Sequence, residues 1–85
     1  MMKVCALPKL QEWEQFDNFA LSLQRLGWSP TQKADGPDAR SWAFSREGDS
    51  LWLVFADMLG GSLRSEHSTV NLQAVADQLE ASAAS

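Results

Sequence analysis

The 85-residue chain predicts an α+β domain: a helix, a three- to four-stranded antiparallel meander sheet, and a second helix, with both helices packed on one face of the sheet. Three observations carry that expectation. The stretch from Arg40 to Asp57 reads as two strands folded back at Gly48-Asp49, and it holds two of the four tryptophans and two of the four phenylalanines. Apolar residues recur at helical spacing both before and after it. The connections between these segments are short, which suits antiparallel neighbours rather than parallel crossovers.

In chain order, residues 2 to 7 (Met-Lys-Val-Cys-Ala-Leu) read either as a short extra strand or as a lead-in. From Leu10 the pattern turns helical. Trp13, Phe16, Phe19, Ala20, Leu23 and Leu26 fall within an arc of roughly 140° at about 100° per residue. Glu12, Glu14 and Asp17 near the start and Arg25 near the end suit the helix dipole. Gly27 stands where a left-handed cap would stop the helix. Residues 28 to 34 then suit an edge strand, because Pro30 lacks a ladder donor and Lys33 guards against pairing with another chain. Asp35-Gly36-Pro37-Asp38 is a turn cluster leading into the central hairpin.

The hairpin faces follow from period-two alternation. Trp42 and Phe44 share one side with Leu51, Leu53 and Phe55, while Ser41, Ala43 and Ser45 share the other with Trp52, Val54 and Ala56. With Gly48 and Asp49 as central residues of a type II′ turn, Trp42 faces Phe55 and Phe44 faces Leu53. The same register sets Arg40 against Asp57, an opposite-charge pair contributing about 0.2–1 kcal/mol. A three-residue loop would set apolar positions against small polar ones, and is rejected on that ground.

After the turn Met58-Leu59-Gly60-Gly61, residues 62 to 67 supply a further strand, of a register the loop does not decide. Asn71 is a good N-cap for the last helix, Val70 is placed to staple onto Val75, and Leu72, Val75, Ala76 and Leu79 form its buried stripe. The whole chain, 1–85, is expected to be one domain with its ordered core over about 10–80 and a frayed tail at 81–85.

The run Asp38-Ala39-Arg40-Ser41-Trp42-Ala43-Phe44, followed by Glu47-Gly48-Asp49-Ser50-Leu51-Trp52-Leu53-Val54-Phe55, resembles a family of small uncharacterised bacterial proteins. The likeness covers about residues 10 to 80, and its shared positions are structural. It implies the same α+β fold and carries over no activity or catalytic residue.

Composition narrows the function classes. A formal charge of −4 with scattered basic residues argues against nucleic acid as a partner. No apolar run approaches the length of a membrane span, and Pro8 and Lys9 interrupt the N-terminal apolar patch before a signal sequence forms. The expected location is therefore the cytoplasm, and the lone Cys5 excludes an internal disulfide.

The catalytic inventory is thin. His67 is the only histidine; it could join Asp57 and a serine in a triad, but no nucleophile elbow accompanies it, and a solvent-facing strand histidine is the simpler reading. Cys5 has no possible base but that same His67. The Asp35–Asp38 cluster lacks the ligand spacing of a calcium loop, and Gly60-Gly61 lacks the frame of a phosphate loop. No metal, cofactor or catalytic residue is expected.

What remains is a surface. Trp52, Val54, Ala43 and Ala56 lie on the sheet side away from the helices, exposed unless residues 1 to 8 or Trp28 cover them. The leading expectation is a non-enzymatic interaction or regulatory module that binds a protein partner, or a second copy as a homodimer, through this face or an edge strand. The alternatives are an acidic inhibitor or immunity-type protein binding a basic target, and, third, a small hydrolase using His67.

Overall fold

The computed structural model describes residues 3–66 and 71–83. Strands β1 (Lys3–Leu7), β2 (Ser29–Asp35), β3 (Ala39–Arg46), β4 (Asp49–Ala56) and β5 (Gly60–Ser65) form one antiparallel sheet in the order β1-β5-β4-β3-β2. Helix α1 (Trp13–Arg25) follows β1, and α2 (Leu72–Ala83) follows β5. The α+β class and the meander from β2 to β5 agree with the sequence reading. The strand count does not: residues 3 to 7 are a full strand, so the sheet has five strands and the chain begins with one rather than with a helix. β1 joins β5 in an unbroken register from Lys3↔Ser65 to Leu7↔Gly61. Hydropathy could not reveal this, because a five-residue strand covered on one side looks like a lead-in until its distant partner is known.

One buried cluster unites the elements. Phe16, Phe19, Ala20 and Leu23 of α1 and Leu72, Val75, Ala76 and Leu79 of α2 meet Trp42, Phe44, Leu51, Leu53, Phe55 and Leu63 of the sheet. Edge-to-face contacts join Trp13 to Phe55 at 4.9 Å and Phe16 to Trp42 at 5.2 Å between ring centroids, the geometry the ring quadrupoles favour.

The helix ends are chemically specified. Gln15 turns its side-chain oxygen back to accept from the backbone N–H groups of Gln11 and Glu12, at 2.7 and 3.1 Å. At the other end Gly27 takes φ 96°, so Trp28 N–H reaches Leu23 C=O and Gly27 N–H reaches Gln24 C=O, each at 3.0 Å. That is a Schellman stop. Asn71 Oδ1 accepts from Ala74 N–H at 3.2 Å, the expected N-cap of α2. Its proposed companion, the Val70 staple, lies outside the described residues. α2 runs through Ala83, and the Ser22 and Ser82 hydroxyls lie 3.3 Å apart near its end.

The β3–β4 hairpin keeps its predicted faces but not its register. Trp42 pairs with Leu53, Phe44 with Leu51, Ser45 with Ser50 and Arg46 with Asp49. The central turn residues are Glu47 and Gly48, at φ 50° and 87°, and two positive angles define a type I′ turn rather than II′. The offset is two residues. A slip of one residue exchanges the faces, but a slip of two leaves every side chain on its own side, so the apolar pattern excludes the first and is blind to the second. Arg40 consequently stands opposite Phe55, and the expected pairing with Asp57 does not form.

The outer strands resolve what remained open. β2 is an edge strand, as Pro30 and Lys33 implied, with a register shift between Pro30 and Gln32. The β4–β5 connection is the three-residue loop Asp57-Met58-Leu59, closed by Leu59 N–H donating to Ala56 C=O at 3.1 Å, with Gly60 at φ 78°. That places the strand expected over 62–67 at Gly60–Ser65. Gly61 is buried against Leu10, and a Cβ there would overlap the Leu10 side chain.

Two outcomes check this account. Glu47→Asn should raise stability by about 0.5–1 kcal/mol in urea unfolding, because Asn tolerates the left-handed conformation that Glu is forced into; a type II′ turn, with extended Glu47, would show no gain. Gly61→Ala should lower stability by about 1–3 kcal/mol by overpacking against Leu10, measured in the same way.

Candidate functional site

Alternation gives the sheet a second face, directed away from the buried cluster. Across it, Trp52 lies opposite Ala43 on β3 and Arg64 on β5, and Val54 lies opposite Ser41 and Ser62. Ala56 lies opposite Ala39 and Gly60. β1 extends the rows, with Val4 opposite Arg64 and Ala6 opposite Ser62. The four residues singled out from the sequence therefore do share one face. Trp52, Val54 and Ala56 are half-buried there, while Ala43 is buried, held beneath its taller neighbours.

Among the described residues, neither expected cover lies over Trp52. Residues 3 to 7 extend the sheet beside β5 instead of folding across it. Trp28 is itself 1% exposed within the core, with the Arg46 guanidinium 4.6 Å from its ring centroid. Arg46 also donates to Leu26 C=O at 2.9 Å, which fixes it over the α1–β2 corner. Val4, by contrast, is 57% exposed and continues the apolar patch toward the β1 edge.

Sequence reasoning missed Arg64 at the centre of this face. The alternation Ser62-Leu63-Arg64 contained the signal: once Leu63 faces the core, Arg64 must face out. Without a register for β5, nothing set it beside Trp52. Its Nε donates to Ser62 Oγ at a long 3.4 Å.

The opposite margin of the core carries the other concentration of charge. Arg40 lies 3.0 Å from Asp35 and 3.4 Å from Asp17, and its guanidinium stacks over Phe16 at 4.5 Å and Trp42 at 4.9 Å. Asp35 also accepts from Trp42 Nε1 at 2.9 Å, and Lys33 Nζ sits 4.4 Å from the Trp42 ring. The Trp42 hydrogen bond, then that from Arg40, holds the Asp35 carboxyl below its ordinary 3.8. Every group in this cluster is engaged by another, an arrangement that clamps β2 and α1 to β3.

Among the described residues, no group of three His, Cys, Asp or Glu side chains is placed to hold a metal ion. Cys5 is half-buried with Sγ 3.6 Å from Gln73 Oε1. His67 lies outside the described residues. A cleft of about 380 Å³ between α1 and the end of α2 is lined by Gln15, Asn18, Ser22, Arg25 and Ser82 among others, with no carboxylate, thiol or imidazole in its wall. Among the described residues, no helix is long and apolar enough to cross a membrane.

Comparison with protein-family models, curated proteins and solved structures returned no match.

The Asp35 environment has a pH consequence. Its carboxyl is more acidic folded than unfolded, so its contribution is present above the unfolded value and is lost as pH falls through the folded one. Asp35→Asn should therefore lose less stability than wild type between about pH 5 and about pH 2 in parallel urea titrations. A carboxyl NMR titration of the wild type should put the Asp35 midpoint below 3.8.

Proposed function

We propose that this chain is a non-enzymatic interaction module that binds a protein partner through the outer face of its sheet. In this reading both helices cover the core side, and the outer side is left for the partner. The observation that carries it is the half-buried Trp52 beside Val54, in a face of small side chains that continues to the exposed Val4. Tryptophan is enriched where binding energy concentrates, since one side chain offers a large rigid apolar surface. Ala43, Ser41 and Ser62 around it are short, while Arg64 stands beside it on β5.

The fold supports the reading in a second way. The core is complete without Trp52: the largest fully buried side chains are Trp28, Phe16, Phe44 and Phe55 together with leucines. A tryptophan outside such a core contributes less to folding than its size suggests and is free to serve a contact.

Trp52→Ser should melt within a few degrees of wild type by circular dichroism, and should lose the association that the wild type shows with a captured partner or, by light scattering, with itself. A variant that unfolds instead would make Trp52 a core residue and remove the surface.

A further inference from the structure

Arg64 narrows the chemistry of that partner, resting on the outer-face reading above. The chain carries eleven carboxylates against seven basic side chains. Only two of those carboxylates lie within the strands. Asp35 is on the core side with Arg40 and Trp42, and Asp49 alternates onto the side of Leu51. The outer face of the sheet thus has no acid in its strands, although the chain as a whole is acidic.

Among the described residues, Arg64 is the only charge in the outer-face strand positions, and it stands between Trp52 and Val4 in one cross-strand row. Arg40 shows how this fold treats an arginine that serves structure: two carboxylates and two rings hold it. Arg64 has a 3.4 Å contact to a serine hydroxyl and no ion pair among the described residues. An arginine beside a tryptophan pairs the two side-chain types most enriched at binding hot spots.

We infer that the partner of this face is a protein segment that sets an aliphatic or aromatic side chain over Trp52 and Val54 and an Asp or Glu carboxylate against Arg64. Charge complementarity selects this occupant over the others. Two copies meeting face to face would offer Arg64 no strand carboxylate from either outer face. A nucleic acid would gain one arginine and meet the field of a chain at −4, where such binding needs several phosphate contacts. An isolated carboxylate in an apolar setting suits a single arginine, which binds it through two parallel hydrogen bonds.

The test is selection from a display library of random linear peptides on the purified full chain, run with wild type, Arg64→Gln, Arg64→Lys, Arg64→Glu and Trp52→Ser. The wild type should enrich peptides that combine an aromatic or aliphatic residue with a nearby Asp or Glu. Arg64→Glu should invert the charge preference toward Lys and Arg. Arg64→Gln should bind the selected acidic peptides about tenfold more weakly, and Arg64→Lys should recover part of the loss. If Arg64→Glu fails to fold, the Gln and Lys variants decide the matter.

A wild-type selection without acids, or with no enriched peptide, overturns the assignment. So does an unchanged selection by the Arg64 variants. If Trp52→Ser abolishes capture while the Arg64 variants select as wild type does, the outer face is a binding surface and only the carboxylate assignment falls. If Trp52→Ser also selects as wild type does, both fall. A wild-type dimer in light scattering that Trp52→Ser dissociates would make a second copy the occupant, and binding of a single-stranded oligonucleotide at Trp52 would make it a nucleic acid; either overturns the inference.

Discussion

The constraint on which this structure depends is that a strand sends successive side chains to opposite sides. Trp42, Phe44, Leu51, Leu53, Phe55 and Leu63 are buried with both helices because they occupy alternate positions on adjacent strands. The same rule puts Trp52, Val54 and Arg64 together on the other side without any contact having to draw them there. Core and candidate surface are two consequences of one periodicity. A substitution that shifted the register by one residue would exchange them and unfold the domain.

Charge is distributed in keeping with this division. On the core margin, Arg40 gathers Asp17, Asp35, Phe16 and Trp42, tying α1 and the edge strand β2 to β3. β2 is exposed along its whole length, and its register shift at Pro30–Gln32 interrupts the ladder that a foreign strand would extend. At the other end of the sheet the link after β1 is held to α2, where Lys9 N–H donates to the Glu80 carboxylate at 3.1 Å and Lys9 Nζ donates to its carbonyl at 3.2 Å. These polar contacts fasten the periphery and leave the middle of the outer face to Trp52 and Arg64.

Local chemistry was legible wherever one residue decides one backbone feature. Gly27 stops α1 because only glycine takes its positive φ without strain, and Asn71 caps α2 because its side chain replaces a missing helical acceptor. Lys33 and Pro30 marked β2 as an edge for equally local reasons. Arg64 was half legible: the alternation around Leu63 turns it outward, yet its place beside Trp52 depends on a three-residue loop whose length the residues alone left open.

By itself the sequence determined the α+β class, both helices with the C-cap of α1 and the N-cap of α2, the two faces of the hairpin and the apolar stripes that these elements bring to the core, because each follows from spacing within a few residues. Only the tertiary structure decided the fifth strand, the I′ register and the row that joins Val4, Arg64 and Trp52. The physical reason is common to all three. Strand pairing links residues distant in sequence through backbone groups that are the same at every position, so a shift of two residues, or an added edge strand, leaves no mark on the local pattern. What selects among such alternatives is the summed packing and turn geometry of the folded chain.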